Sequence, residues 1–447
     1  MTTVSDGPSE PLLEQPPDDG MPGWKRNVAI FLTGQTVSLL GSMLVQFAVM
    51  WHLTIVTQSG SVLMLSIVFG MLPQAFVSIF GGVWADRHSR KLLIIGADSA
   101  IATITLALAL LMLSGVDDLW LIYVALAVRS TFAGIQTPAV NALVPQIVPA
   151  PQLIRINGIN QSIQSGMMLL APVLAAAIYA SFDIVAVFLV DVVTAVLGVG
   201  MLLLVTVPRL VRRDDPGAEE AAEAPPARPT YFGDLAAGVR YVRGHGPVKW
   251  LMTIFAVTMV LIGAPSYLTP LMVTRTFGDE VWKLTTNEVF WAAGMLAGGL
   301  AMALVGTRVT NRVALIVGTT FGAGVFTVGL GLSTNMWLFF TLGLFVGVSF
   351  TLMSAPSMAI LQETVEPEMQ GRVFGFVGIV MTVAMPLSMV VFGPLADRVS
   401  VQVLLVVAGT LLAAFVAAVL SVPSARRSLA AIARPAKAAE PTPESAR

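Results

Sequence analysis

The chain of 447 residues contains no cysteine, which excludes disulfides, thiolate catalysis and cysteine metal sites. Only three histidines occur, His52, His88 and His245, too scattered to form a metal site by themselves. Charge is scarce as well. Charged residues make up 11% of the chain, against about 25% in an ordinary soluble domain. A soluble protein of this length cannot cover its surface with so few charges. The net charge of −1 gives no electrostatic reason to expect a nucleic-acid partner. No His-Glu-x-x-His, nucleophile elbow or P-loop is found, so the sequence predicts neither an enzyme nor an ATP-driven machine, and no cofactor or metal. Residues 1–23 are acidic and proline-rich, the reverse of a signal peptide.

What the chain does have is apolar length. Hydrophobic residues make up 56% and the mean hydropathy is +0.82. Runs long enough to cross a bilayer, about 20 residues each, fall near 28–51, 61–84, 92–114, 119–143, 159–180 and 184–207. They resume near 250–273, 287–306, 313–332, 336–361, 373–396 and 401–422, with Pro172 and Pro386 expected to interrupt two of them. The expectation is an all-α membrane protein of twelve transmembrane helices. Cations test the count, because they collect on the cytoplasmic side. With both termini cytoplasmic, 21 of the 25 Lys and Arg fall inside; Arg275, Lys283 and Arg398 fall outside, and Arg129 lies within a span.

The chain divides accordingly into a disordered tail 1–26, six spans over 27–207, a cytoplasmic linker 208–249, six spans over 250–422 and a disordered tail 423–447. Within the linker, Phe232, Leu235, Val239 and Val242 recur at helical spacing and predict an amphipathic helix at the membrane face. Pro138 and Pro149 close span four; Pro356 and Pro367, also eleven apart, close span ten. This repetition points to two six-helix pseudo-repeats.

Ionisable groups inside spans are the best functional clues, since each costs about 2.5–3.5 kcal/mol near the bilayer centre on insertion scales. Asp98, Arg129 and Asp191 qualify. Arg129 and Asp191 fall at similar depth in spans four and six, which allows them to pair. Arginine does not release its proton, so Arg129 needs water, a carboxylate or a substrate. Asp191 has the chemistry of a proton carrier, and a structural ion pair is the equal alternative. Asp98 is near enough to the boundary to serve helix packing. Gln35, Gln46, Met43, Phe47, Gln136 and Gln164 are candidates for a cavity lining, with methionine and aromatic groups able to repack around dissimilar apolar ligands.

The tightest connection between two spans reads Gly82-Val83-Trp84-Ala85-Asp86-Arg87-His88-Ser89-Arg90-Lys91, one carboxylate among three cations. Gly82, Asp86, Arg87, Arg90 and Lys91 resemble the loop-2/3 signature of the major facilitator superfamily. Further resemblance lies in Gly34-Gln35-Thr36-Val37-Ser38-Leu39-Leu40-Gly41, Leu72-Pro73, Thr137-Pro138-Ala139, Val144-Pro145 and Gly371-Arg372-Val373-Phe374-Gly375. Over roughly 27–422 the chain resembles the macrolide-efflux and enterobactin-exporter-like branch. The family's span-four arginine maps onto Arg129, but the glycine after it comes at Gly134, one residue late, and Ala171-Pro172 replaces the antiporter Gly-Pro.

The resemblance implies a major facilitator fold and a secondary transporter in the plasma membrane. Such a protein would work as a monomer, exporting amphipathic drugs, antibiotics or siderophore-like products in exchange for protons. It also implies that Asp86, Arg87 and Arg90 form a charge relay holding the inner gate. Transport of another substrate or in the other direction is the first alternative. A membrane sensor without transport is the second, and the lack of a large extramembrane segment weighs against it.

Overall fold

The structure, a computed structural model, describes residues 23–207 and 231–432. Among these residues twelve helices are long and apolar enough to cross a membrane. The first six are α1 Trp24–Thr57, α2 Gly60–Arg87, α3 Arg90–Leu113, α4 Leu119–Ile147, α5 Leu153–Phe182 and α6 Ile184–Leu204. A short helix α7, Tyr231–Gly244, leads into α8 Gly246–Thr276, α9 Val281–Val305, α10 Arg312–Leu332, α11 Met336–Thr364, α12 Pro367–Ala396 and α13 Val401–Ser421. Helix α14, Pro423–Ala431, follows.

Each expected span is present, and the differences have local causes. Helix α2 continues to Arg87, placing Asp86 and Arg87 in its last turn and leaving only His88 and Ser89 as the connection. A cation there complements the negative end of the helix dipole. Pro172 and Pro386 lie inside continuous helices, both packed in the interior, where neighbouring spans stabilise a locally irregular backbone. The tail expected to be disordered from 423 instead opens with α14, which buries Ala425 and Leu429. Residues 24–26, assigned to the N-terminal tail, form the first turn of α1. Short polar side chains start several spans: Asn335 accepts from the Trp337 and Leu338 amides, and Asn311 from the Ala314 amide.

The two halves repeat one packing scheme. In the first, α1 packs on α5 and α6, α2 on α4, and α3 on α4 and α6; in the second, α8 packs on α12 and α13, α9 on α11, and α10 on α11 and α13. The register is conserved between them. Helices α4 and α11 have 29 residues each and start 217 apart (336 − 119), while α6 and α13 have 21 each and also start 217 apart (401 − 184). The halves meet along α2–α12, α5–α9 and α1–α8.

Successive spans alternate in direction, so the turns near residues 58, 116, 183, 278, 334 and 398 share one end of the bundle. That end is called the far end below. The turns near 88, 150, 308 and 365 share the other, terminal end with residues 24 and 431. Outward-facing stripes are apolar and exposed, as in Leu296, Leu300 and Leu304 of α9, which suits contact with lipid.

The linker helix α7 sits at the terminal end against α12 and α8. A Cβ on Gly238 would lie 2.7 Å from the Arg372 carbonyl, so glycine permits the close approach. The Tyr241 hydroxyl accepts from the Glu366 amide at 3.5 Å, and Val242 is buried. Of the apolar face read from the sequence, the Phe232 and Leu235 side chains lie outside the described residues.

Candidate functional site

A cavity of about 410 Å³ opens among α1, α2, α3, α4 and α8. Helix α1 contributes a stripe from Gln35 to Met50, α2 contributes Ser66, Ile67, Gly70, Met71 and Gln74, and α4 contributes Arg129, Ser130, Gln136 and Thr137. The second half supplies Tyr267, whose hydroxyl lies 3.8 Å from Met71 Sδ and 3.7 Å from Met385 Sδ. Of the six cavity candidates from the sequence, Gln35, Gln46 and Gln136 line it. Met43, Phe47 and Gln164 do not. Phe47 is about 100° round the helix from Gln46 and packs on Trp51, ring centroids 5.8 Å apart. Gln164 is exposed on α5, which is not among the lining helices. Sequence reasoning passed over Gln74, Met71 and Tyr267; helical phase from Gln35 and Gln46 cannot reach other helices.

The three intramembrane charges gather behind this wall. Arg129 donates through Nη1 to Asp191 and to Thr105, which joins α4, α6 and α3. Asp191 is 2% exposed and Arg129 12%, so the pair is nearly withdrawn from solvent, with the arginine on the cavity side. Two turns along the same face of α4, Gln136 donates to Asp98, itself buried on α3. Gly41, in the α1 motif, makes room for this arrangement: a Cβ there would lie 2.9 Å from Asp191 Oδ1. The cavity therefore offers amide and hydroxyl groups, a few sulfurs, and a cation whose charge is already balanced.

At the terminal end, Arg90 donates to the Ala85 carbonyl at 3.2 Å and the Ala142 carbonyl at 2.7 Å. Lys91 donates to the carbonyls of Leu203 and Val205 at 2.9 and 2.8 Å, capping the end of α6. These contacts stay within the first half. Arg87 is exposed and Gly82 has open space beside it. The Asp86 side chain lies outside the described residues.

The far end holds a clasp between the halves that the sequence did not reveal. Asp397, just beyond α12, accepts from the Gly60 amide at 2.6 Å, the Ser61 amide at 3.0 Å and the Ser59 hydroxyl at 3.1 Å. It thus caps the N-terminus of α2, where amides and helix dipole favour an anion. Arg275, at the end of α8, donates to the Ala396 carbonyl at 2.7 Å and to the Gln58 carbonyl, with Asp397 3.8 Å away. Partial burial pushes the Asp397 carboxyl up, but the donors on Ser61, Gly60 and Ser59 outweigh it and hold the group below its ordinary value. Beneath the clasp the α2 and α12 backbones touch: a Cβ on Gly393 would lie 2.6 Å from Met64 Cβ and 2.7 Å from the Gly60 carbonyl.

Comparison with known proteins agrees with this architecture. The chain is 30% identical over 391 residues to Macrolide efflux protein A of Streptococcus pyogenes, covering 87% of this chain and 94% of that protein. It is 30% identical over 333 residues to Macrolide efflux protein A of Enterococcus faecalis, covering 74% of this chain and all of that protein. In fold it resembles a bacterial homologue of the iron transporter ferroportin in its inward-facing state, with a TM-score of 0.65 at 16% identity, over 88% of this chain and 98% of that one. A family model described as Major Facilitator Superfamily matches residues 28–389. The chain is a multi-pass membrane transporter and belongs to the Major Facilitator Superfamily.

Proposed function

We propose that this transporter exports amphipathic small molecules of the macrolide class from the cytoplasm, in exchange for protons, across the plasma membrane. The terminal end is cytoplasmic in this reading, because 21 of the 25 Lys and Arg then fall on the inner side. On this reading the clasp holds the outer side closed, as an inward-facing state requires. The relatives named for macrolide efflux support the substrate class and favour it over a siderophore.

The observation that carries the reading is the cavity, with Gln35, Gln46, Gln74 and Gln136 spaced among Met50, Met71 and Tyr267. Amides can pair with hydroxyl, ester and carbonyl groups of a large neutral ring, while thioether and aromatic surfaces accept its apolar faces. A small polyanion would need free cations, and Arg129 is already engaged. Asp191 is the proposed proton carrier: protonation would release Arg129, and outward-directed substrate movement would follow the change of partners. Asp98 is held by Gln136, a cavity residue, and so can report occupancy to the same interface.

The test is erythromycin accumulation in efflux-deficient cells producing the wild type or Asp191→Asn, before and after an ionophore collapses the proton gradient. Lower accumulation with the wild type, abolished by either the mutation or the ionophore, is expected. Equal accumulation with and without the protein in the membrane would overturn the substrate class. Export that survives both treatments would overturn the coupling.

A further inference from the structure

One half-buried acid takes no part in the arrangement above. Glu288 lies on α9 about two turns from its far end, and among the described residues it forms no ion pair. Among the described residues its hydrogen-bond partner is the adjacent Asn287 amide, at 3.3 Å, and Asn287 also donates to Thr269 on α8. Two of the three cations at this end, Lys283 and Arg275, are committed elsewhere, and the third, Arg398, is exposed in the turn after α12. Lys283 binds Glu280 and the Phe277 carbonyl, and Arg275 belongs to the clasp.

The repeat gives Glu288 a counterpart in the first half. Helices α2 and α9 start 221 residues apart (281 − 60). Packing confirms this register: a Cβ on Gly134 would contact Gln74 and Val77, and in the second half Thr351 (134 + 217) contacts Met295 (74 + 221) and Gly298 (77 + 221). Glu288 is then the counterpart of Ile67, which lines the cavity (67 + 221). Independently, at 100° per residue Glu288 lies about 80° from Leu296, about 120° from Trp282 and Leu300 and about 160° from Leu304 of the exposed stripe. The 3.2 Å hydrogen bond from Asn287 to Thr269 ties α9 to α8 at this level, one residue from Glu288 and two from Tyr267, which lines the cavity.

We propose that Glu288 and Tyr267 form a cation subsite on the second-half wall of the central cavity, which receives the protonated amine of a transported amphiphile. A carboxylate in a poorly solvated interior gains most from a partner of opposite charge. An aromatic ring beside it adds cation–π attraction for an ammonium group. The glutamine-rich wall of the first half binds the uncharged part of the same molecule, so the two walls read different ends of it. This inference rests on the proposed substrate class and narrows it to basic amphiphiles.

The test uses the full-length protein in lipid nanodiscs and measures binding of erythromycin, whose amine is protonated at pH 7, and of its N-demethyl-N-acetyl derivative, which is uncharged. The wild type should bind the amine form at least tenfold more tightly than the acetylated form. Glu288→Gln should bind both with the affinity of the weaker, and Glu288→Asp should recover part of the difference. Retained binding of the acetylated form shows that the variants are folded. Unchanged amine affinity in Glu288→Gln would overturn the subsite, as would an equal loss for both compounds. If the wild type binds neither compound, the substrate class itself falls and this inference falls with it.

Discussion

The two halves of the transporter share a fold and differ in charge. Helices α4 and α11, and α6 and α13, match residue for residue with an offset of 217. Arg129 therefore corresponds to Val346 (129 + 217), Gln136 to Met353 (136 + 217) and Asp191 to Ala408 (191 + 217). All three counterparts are apolar and buried. The same helices thus pack in the same scheme without any ionisable group at these positions. Packing alone does not call for Arg129 and Asp191, and on an insertion scale each costs about 2.5–3.5 kcal/mol near the bilayer centre. Their place beside a polar cavity is what distinguishes the first half.

Breaking this asymmetry from one side gives the largest expected effect. Asp191→Ala leaves Arg129 buried without its carboxylate, at a cost of about 3–5 kcal/mol. Thermal unfolding of the purified protein should show this as a markedly lower midpoint than the wild type.

A second comparison is between the ends of α2. Its far end touches α12 and its terminal end carries the basic turn bound within the first half. Gly393→Leu removes the contact with Gly60 and should disfavour the closed far end by about 1–3 kcal/mol of overpacking. With no native cysteine, spin labels at Ser114→Cys and Thr286→Cys can report the distance across that end, which should lengthen. Asp397→Asn should lengthen it less, because a lost helix cap costs about 0.5–2 kcal/mol.

The pH response of that distance has a definite sign. The Asp397 carboxyl is held below its ordinary value, so the charged form favours the clasp. Its contribution is full above the unperturbed carboxylate range, about 3.9, and is lost as pH falls through the lower value in the clasp. The distance should stay flat from neutral into mild acid and lengthen only in strong acid; Asp397→Asn should remove that response. Protonation of Asp397 is therefore not the physiological trigger for opening. The smallest effect concerns α7, which docks on the second half: Tyr241→Phe loses one long hydrogen bond, about 0.5 kcal/mol, and should leave unfolding nearly unchanged.

Much of the fold was legible because apolar length and cation placement are both one-dimensional signals. The twelve spans come from those alone; the proline pairing that pointed to a repeat misses the observed register by one residue, since Pro138 falls opposite Ala355 (138 + 217) and not Pro356. Arg129 and Asp191 were legible because an ion inside an apolar run is conspicuous. The clasp was not, since Asp397, Ser59 and Arg275 look like ordinary residues at span ends and meet only when α2, α8 and α12 converge. Glu288 escaped for a related reason: a span read as starting at 287 puts it at the boundary, whereas α9 starts at Val281 and carries it inside. Met43 and Phe47 were misplaced because composition marks a helix as rich in adaptable side chains without fixing which face they occupy.

The claim that the first-half charges serve transport and not folding is tested most directly by giving the first half the second half's residues. In Arg129→Val/Asp191→Ala, both charges are replaced by the side chains found at Val346 and Ala408. Unfolding and erythromycin export would be measured on the same variant. The account predicts stability restored to at least the wild-type level relative to Asp191→Ala, together with complete loss of export. Export by the double variant, or a double variant less stable than Asp191→Ala, would contradict it.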